Sequence, residues 1–272
     1  MLKLCMSNIA WSREKNQEFY QLLQDYGFSG LEIAPFVAFE KGIYANEEDI
    51  QSFLEDVKGY ELTPVSIQSL LFGIPREMAV FEGNEKRAEL AKTLEETIQF
   101  ASKIGASNLV FGSPKNRCLT SETEYQEGVH LFKHLGDYAA SLGVVLAIEP
   151  NAKAYGTNFA TTLAEAIAFI ETVQSPGVRL NFDFGSFIME NESDESFIKA
   201  IPYMNHVHIS APMLEHIETL DKSRLMACLM YLKKSYYSGF ISIEMKQAAN
   251  SNQESVERAL EYLNQIVDEI GY

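Results

Sequence analysis

The feature that most constrains the fold of this chain is an eightfold alternation of short apolar runs with longer amphipathic stretches. The apolar runs lie at 2–6, 30–33, 64–68, 108–112, 144–149, 178–183, 206–209 and 240–244. Their length and their β-branched and aliphatic content predict strands. Helical spacing of apolar residues covers 14–26, 47–58, 85–104, 122–142, 163–173, 220–236 and 253–270, with a shorter stretch at 193–201 before Pro202. Gly27, Gly59, Gly105, Gly143, Gly177 and Gly239 stand where these helices should stop. Strand–helix alternation implies a parallel sheet with helices packed against it. Eight such units in 272 residues match the size of one closed (β/α)8 barrel. No Pro/Gly/Ser-rich linker divides the chain, so a single TIM barrel domain over 1–272 is expected. The rival, a doubly wound open sheet, usually carries a glycine-rich first turn; the turn at 6–11 has no glycine.

A parallel barrel builds its active site from side chains at the C-terminal strand ends. In order, those ends read Ser7 or Asn8, Glu32, Gln68, Gly112-Ser113, Glu149, Asp183, His208 and Glu244. The last four come from consecutive strands, spaced 34, 25 and 36 residues apart, about one βα unit each. Barrel closure sets them side by side around half the mouth. Three carboxylates crowded there would repel one another, and one divalent cation is the simplest compensation. Glu, Asp, His and Glu offer hard oxygens with one nitrogen, a set that suits Mn, Mg, Co or Zn without choosing among them. Structural ion pairing could account for any one acid alone, but it does not demand this register.

Composition removes several alternatives. Lys plus Arg total 22 against 38 Asp plus Glu, a formal charge of −16. A protein that tracks phosphates needs a basic surface, so no nucleic acid is expected as a partner. No run approaches the ~18 apolar residues of a membrane helix, and the first residues do not resemble a secretory signal. No membrane partner is expected. Cys5, Cys118 and Cys228 are scattered, without zinc or disulfide spacing, which fits a reducing, cytoplasmic setting. Association into a homo-oligomer is left open.

The segments Leu146-Ala147-Ile148-Glu149-Pro150, Asn181-Phe182-Asp183-Phe184-Gly185 and His206-Val207-His208-Ile209-Ser210, the late Ile243-Glu244, and the early Gly30-Leu31-Glu32 together resemble the xylose isomerase-like TIM barrels. More narrowly, they resemble the sugar (phosphate) isomerase/epimerase group, with its ketose 3-epimerases and inosose dehydratases. The resemblance implies Glu149, Asp183, His208 and Glu244 as ligands of a divalent metal, with Glu149 and Glu244 doubling as the catalytic acid/base pair. It also implies isomerisation or epimerisation of a sugar, sugar phosphate or related polyhydroxylated molecule by proton transfer through a metal-stabilised enediolate. Expulsion of a β-hydroxyl from the same intermediate would make the protein a dehydratase of an inosose-like or dehydroshikimate-like substrate. A catalytically silent sugar-binding barrel and an endonuclease IV-like repair protein share the fold; the latter needs more metal-binding histidines and meets the opposing charge. The chain departs from the 3-epimerase pattern at Tyr155, Ser186 and Leu214, where that group carries Glu, His and Arg that grip sugar hydroxyls.

Other residues carry two readings each. Lys115 and Arg117, in the loop after the fourth strand, either bind an anionic substrate group or are solvated loop charges. Gln68 and Glu32 either bind substrate hydroxyls or pair with each other. Trp11 either walls the pocket or packs in the core. His206 shares the strand parity of His208 and is either a support for the metal site behind His208 or a hydrogen-bonded core histidine.

Overall fold

The computed structural model describes residues 2–250 and 252–271. Its strands are β1 (Lys3–Ser7), β2 (Gly30–Ile33), β3 (Thr63–Ile67), β4 (Asn108–Phe111), β5 (Val145–Ile148), β6 (Val178–Asp183), β7 (Met204–Ser210) and β8 (Phe240–Glu244). They form a closed barrel in chain order. Parallel pairing of β1 with β8, Leu4 opposite Ile241, completes the ring and excludes the open-sheet rival. Each strand begins and ends within two residues of its expected run.

The helices are α1 (Asn16–Asp25), α2 (Pro35–Ala38), α3 (Glu47–Gly59), α4 (Asn84–Ile104), α5 (Glu122–Ser141), α6 (Leu163–Val173), α7 (Phe184–Met189), α8 (Asp194–Ala200), α9 (Lys222–Lys234) and α10 (Asn252–Glu269). The short α2 and α7 have no counterpart in the periodicity, because neither is long enough to show a period of 3.6. Local chemistry sets the helix starts. The side chains of Asn46, Ser121, Thr162, Ser193 and Asp221 each accept a main-chain N–H of the first turn. Gly105 ends α4 in the left-handed region, at φ 80°, where a Cβ would be strained.

Period-two alternation sorts each strand into two faces. One face is large and apolar and meets the helices: Leu4 and Met6, Leu31 and Ile33, Leu109 and Phe111, Leu146 and Ile148, Leu180 and Phe182, Val207 and Ile209, and Ile241 and Ile243 are all buried. Phe182 packs on Phe197 of α8 at 4.8 Å, and Phe111 on Phe132 of α5 at 5.1 Å. The lumen face is small or polar: Ser7, Glu32, Ser66, Asn108, Asn181, His206, His208 and Ser242 are also buried. Buried polar groups demand partners, so this lumen becomes a hydrogen-bonded network rather than the usual aliphatic filling. Pairing shifts by a residue at Leu31/Glu32 and at Leu180/Asn181. Such irregularities re-aim the side chains beside them, and Glu32 and Asn181 both feed the site described next. No helix among the described residues is long and apolar enough to cross a membrane.

Candidate metal centre

Glu149 follows β5 directly, Asp183 ends β6, and Glu244 ends β8. His208 lies two residues inside β7, because that strand runs on to Ser210. Register sets Asp183 opposite His208 and Ser210 opposite Glu244. The outcome is one cluster: ligand atoms of Glu149, Asp183, His208 and Glu244 all lie within 4.8 Å of one another.

The hydrogen bonds give each member an orientation. His208 Nε2 lies 3.0 Å from Glu32 Oε1. Its Nδ1 faces Glu149 Oε1 at 3.0 Å and Glu244 Oε2 at 3.2 Å, yet makes no hydrogen bond there although it is buried. With the Nε2 proton donated to Glu32, a bare Nδ1 lone pair would point at two carboxylate oxygens, a contact that repels unless a proton on Nδ1 or a metal cation stands between them. The donor set therefore fits a divalent ion held by these four residues. A carboxylate fixing the far nitrogen of a ligand histidine is the usual support of such centres. Asp183 receives the Ser186 N–H on Oδ1 at 2.7 Å, capping α7, and the Ser210 hydroxyl on Oδ2. Glu149 receives Asn181 Nδ2 on Oε1 and Asn151 Nδ2 on Oε2, each at 2.9 Å.

The electrostatics state the same demand. Burial pushes the Glu244 carboxyl up to about 7; His208 pulls it down, while Glu149 and Asp183 add to the rise. Asp183 is raised too, by burial and then by Glu149. Burial alone would lower His208, but Glu32 and Glu244 outweigh it and hold its proton well above the imidazole range. In the ion-free protein a proton thus stands where a metal would balance the acids.

Several expected residues are elsewhere than the sequence suggested. Glu32 and Gln68 do not pair. Glu32 is sealed below the centre, where it also accepts Ser242 Oγ at 3.0 Å; it orients His208 and is out of a substrate's reach. Gln68, also buried, donates to Ser7 Oγ. Trp11 is 1% exposed, stacks on Phe19 at 4.8 Å and donates Nε1 to Asn16 Oδ1 at 2.9 Å. It is core, because the turn after β1 folds its ring back beneath α1. Arg117 is fully buried, so it is neither a solvated charge nor an open anion cradle. Its Nη2 donates to the Glu149 carbonyl and to Asn151 Oδ1, each at 2.7 Å. Burial pushes its guanidinium down to about 10 against the pull of Glu149. Lys115 is exposed. His206 is buried, and its Nε2 lies 3.3 Å from Glu32 Oε1; burial lowers its pKa, so it is the neutral companion of the Glu32–His208 pair.

Four residues joined the site without being anticipated: Asn151, Asn181, Ser210 and Ser242. Asn181, Ser210 and Ser242 share strand parity with Asp183, His208 and Glu244, a signal the sequence did carry. Asn151 and Tyr155 lie on the loop after β5, where no period applies. The Tyr155 hydroxyl accepts the Met213 N–H at 2.9 Å, leaving its own proton free. Burial raises its pKa first, then the charges of Asp183, Glu244 and Glu149. The charges of the three acids thus reach this hydroxyl. At the other departures, Ser186 accepts the Ala152 N–H at 3.3 Å and Leu214 adopts φ 56°; both serve the loops. A cavity of about 570 Å³ opens at the opposite mouth, lined in part by Lys3, Asn108, Asn205 and Tyr237. Its lining holds no acid cluster; the acid–histidine cluster lies at the other end.

Fold and site together define the class: an eight-stranded parallel α/β barrel with an acid–histidine centre at its C-terminal mouth. The model of the family described as xylose isomerase-like TIM barrel matches residues 20–266, and the chain belongs to that family. Solved structures repeat the fold along the whole chain. A 3-keto-D-glucoside 4-epimerase from E. coli superposes with TM-score 0.79 at 19% identity, covering 97% of this chain and 100% of that one. A D-psicose 3-epimerase solved in the presence of D-fructose gives 0.80 at 16%, covering 100% of both chains. A D-allulose 3-epimerase from Methylomonas sp., solved with D-allulose, gives 0.76 at 20%, covering 97% and 96%. No curated protein matches the chain in sequence.

Proposed function

We propose that this protein is a metal-dependent isomerase or epimerase of a sugar, sugar phosphate or related polyhydroxylated molecule, working in the cytoplasm. The observation that carries the reading is the convergence of Glu149, Asp183, His208 and Glu244 around one point at the barrel mouth. The epimerases among the barrels that share its fold support it. A Mn, Mg, Co or Zn ion held by these four residues would polarise a substrate carbonyl and its neighbouring hydroxyl.

The protein's own groups do the rest. Glu149 Oε1 and Glu244 Oε2 lie 3.0 and 3.2 Å from His208 Nδ1, so both carboxylates stand at the point over which a substrate would lie. One carboxylate takes the proton beside the carbonyl, and the other returns one on the opposite face or at the adjacent carbon. The raised Glu244 carboxyl, near 7, suits proton exchange at neutral pH. The free Tyr155 proton is available to an acceptor oxygen on the substrate. Lys115 is the exposed cation available to an anionic group on it.

The test is turnover of a panel of ketoses, their phosphates and inososes by the Mn²⁺-loaded protein in D2O, followed by NMR. Solvent deuterium at the carbon next to the carbonyl, in a stereoisomer or positional isomer, is expected. Glu149→Gln and Glu244→Gln should each lower the rate by roughly 10²–10⁴. Loss of water from the product would make the protein a dehydratase instead, and near wild-type turnover by both variants would sink the assignment.

A further inference from the structure

Arg117 is a costly residue where it sits. It is fully buried, and its Nε and Nη1 find no hydrogen-bond partner. Burying a guanidinium is costly unless its donors are used, so an apolar side chain of similar length would be the better choice for packing alone. The bonds Arg117 does make converge on one neighbour. Nη2 holds the main-chain carbonyl of Glu149 and the Oδ1 of Asn151. Oriented by that bond, the Asn151 amide has its Nδ2 turned to Glu149 Oε2. An Asn in this place could flip; the guanidinium, which only donates, permits one orientation. From the other side, Gly112 leaves clearance: a Cβ there would stand 2.5 Å from Glu149 Oε2 and 3.3 Å from Asn151 Oδ1. The Glu149 carboxylate is thus fixed at its main chain and at both oxygens, with Asn181 closing the set on Oε1.

We infer that Arg117 and Asn151 form a strut whose function is to position the Glu149 carboxylate for metal binding and proton transfer. Both are positioning residues that act through Glu149. The inference rests on the metal-centre reading above and adds what holds its first ligand in place.

Co²⁺ titration of the ion-free protein, followed by visible absorption, tests it alongside thermal melting. Wild type should bind one Co²⁺. Asn151→Ala and Arg117→Met should each bind it ten- to a hundredfold more weakly, with an altered spectrum, as loss of support behind a ligand does. The double variant should be little worse than the weaker single one, because both residues belong to one strut. Should Arg117→Met fail to fold, Asn151→Ala carries the test alone, since it leaves the guanidinium bonded to the Glu149 main chain. Variants that melt lower yet bind Co²⁺ with wild-type affinity and spectrum would overturn the strut and leave the centre intact. A wild-type protein that binds no Co²⁺ would overturn the centre and the strut with it.

Discussion

At the scale of single residues, His208 decides the site's behaviour. Its ring joins two layers: Nε2 faces the buried Glu32 below, and Nδ1 faces the acids above. In the ion-free protein its proton is held well above the imidazole range, and Glu244 is raised to about 7. Both shifts have the same sign for stability. A group whose folded pKa is raised stabilises the fold while it is protonated, and that contribution is lost as pH rises through the folded value. The Glu244 contribution should therefore fade between its ordinary 4.5 and about 7. The ion-free Tm should fall from pH 5 to pH 8. Metal affinity should climb over the same range, because a proton must leave before the ion binds. Calorimetric titration with Mn²⁺ at pH 6 and pH 8, in two buffers of different ionisation enthalpy, measures the affinity and the protons released; equal affinities would show that these groups do not compete with the ion.

At the scale of elements, the helical layer keeps the strand ends in register. Phe169 of α6 stands at the centre of a ring of aromatics, at 5.3 Å from Phe132 of α5, 4.9 Å from Phe159 and 6.0 Å from Tyr125. That cluster ties α5 and α6 to the loop after β5, which carries Asn151 and Tyr155. Phe169→Ala leaves a cavity and should cost about 3–5 kcal/mol of stability, read by urea denaturation. A cost below ~1 kcal/mol would mean that the site collapses around the gap. The strands and the long helices were legible because period two and period 3.6 run for enough residues to register. The short α7 was not, although Asp183 caps it and its first turn is held by that side chain; the aspartate's place in the acid–histidine cluster was legible and its capping role was hidden.

At the scale of the whole molecule, folding and ion binding are linked. An ion that binds only the folded barrel should stabilise it by roughly 2.7 kcal/mol at one hundred times its dissociation constant, which raises Tm by about 5 °C in a protein of this size. Scanning calorimetry with and without Mn²⁺ measures the shift, and His208→Ala should abolish it. An equal shift in His208→Ala would locate the ion elsewhere. The order of strands, the parallel sheet and the meeting of Glu149, Asp183, His208 and Glu244 at the barrel mouth were determined by sequence alone, because each depends on local periodicity and on the regular spacing of βα units. What Glu32, Gln68, Trp11 and Arg117 do was decided only in three dimensions. Each sits at a strand end or in a loop, where one residue of register or a single turn of backbone chooses between an open mouth and a sealed interior. Glu32 meets His208 across 176 residues of chain and Arg117 meets Glu149 across 32; only closure of the barrel brings such partners within hydrogen-bond distance.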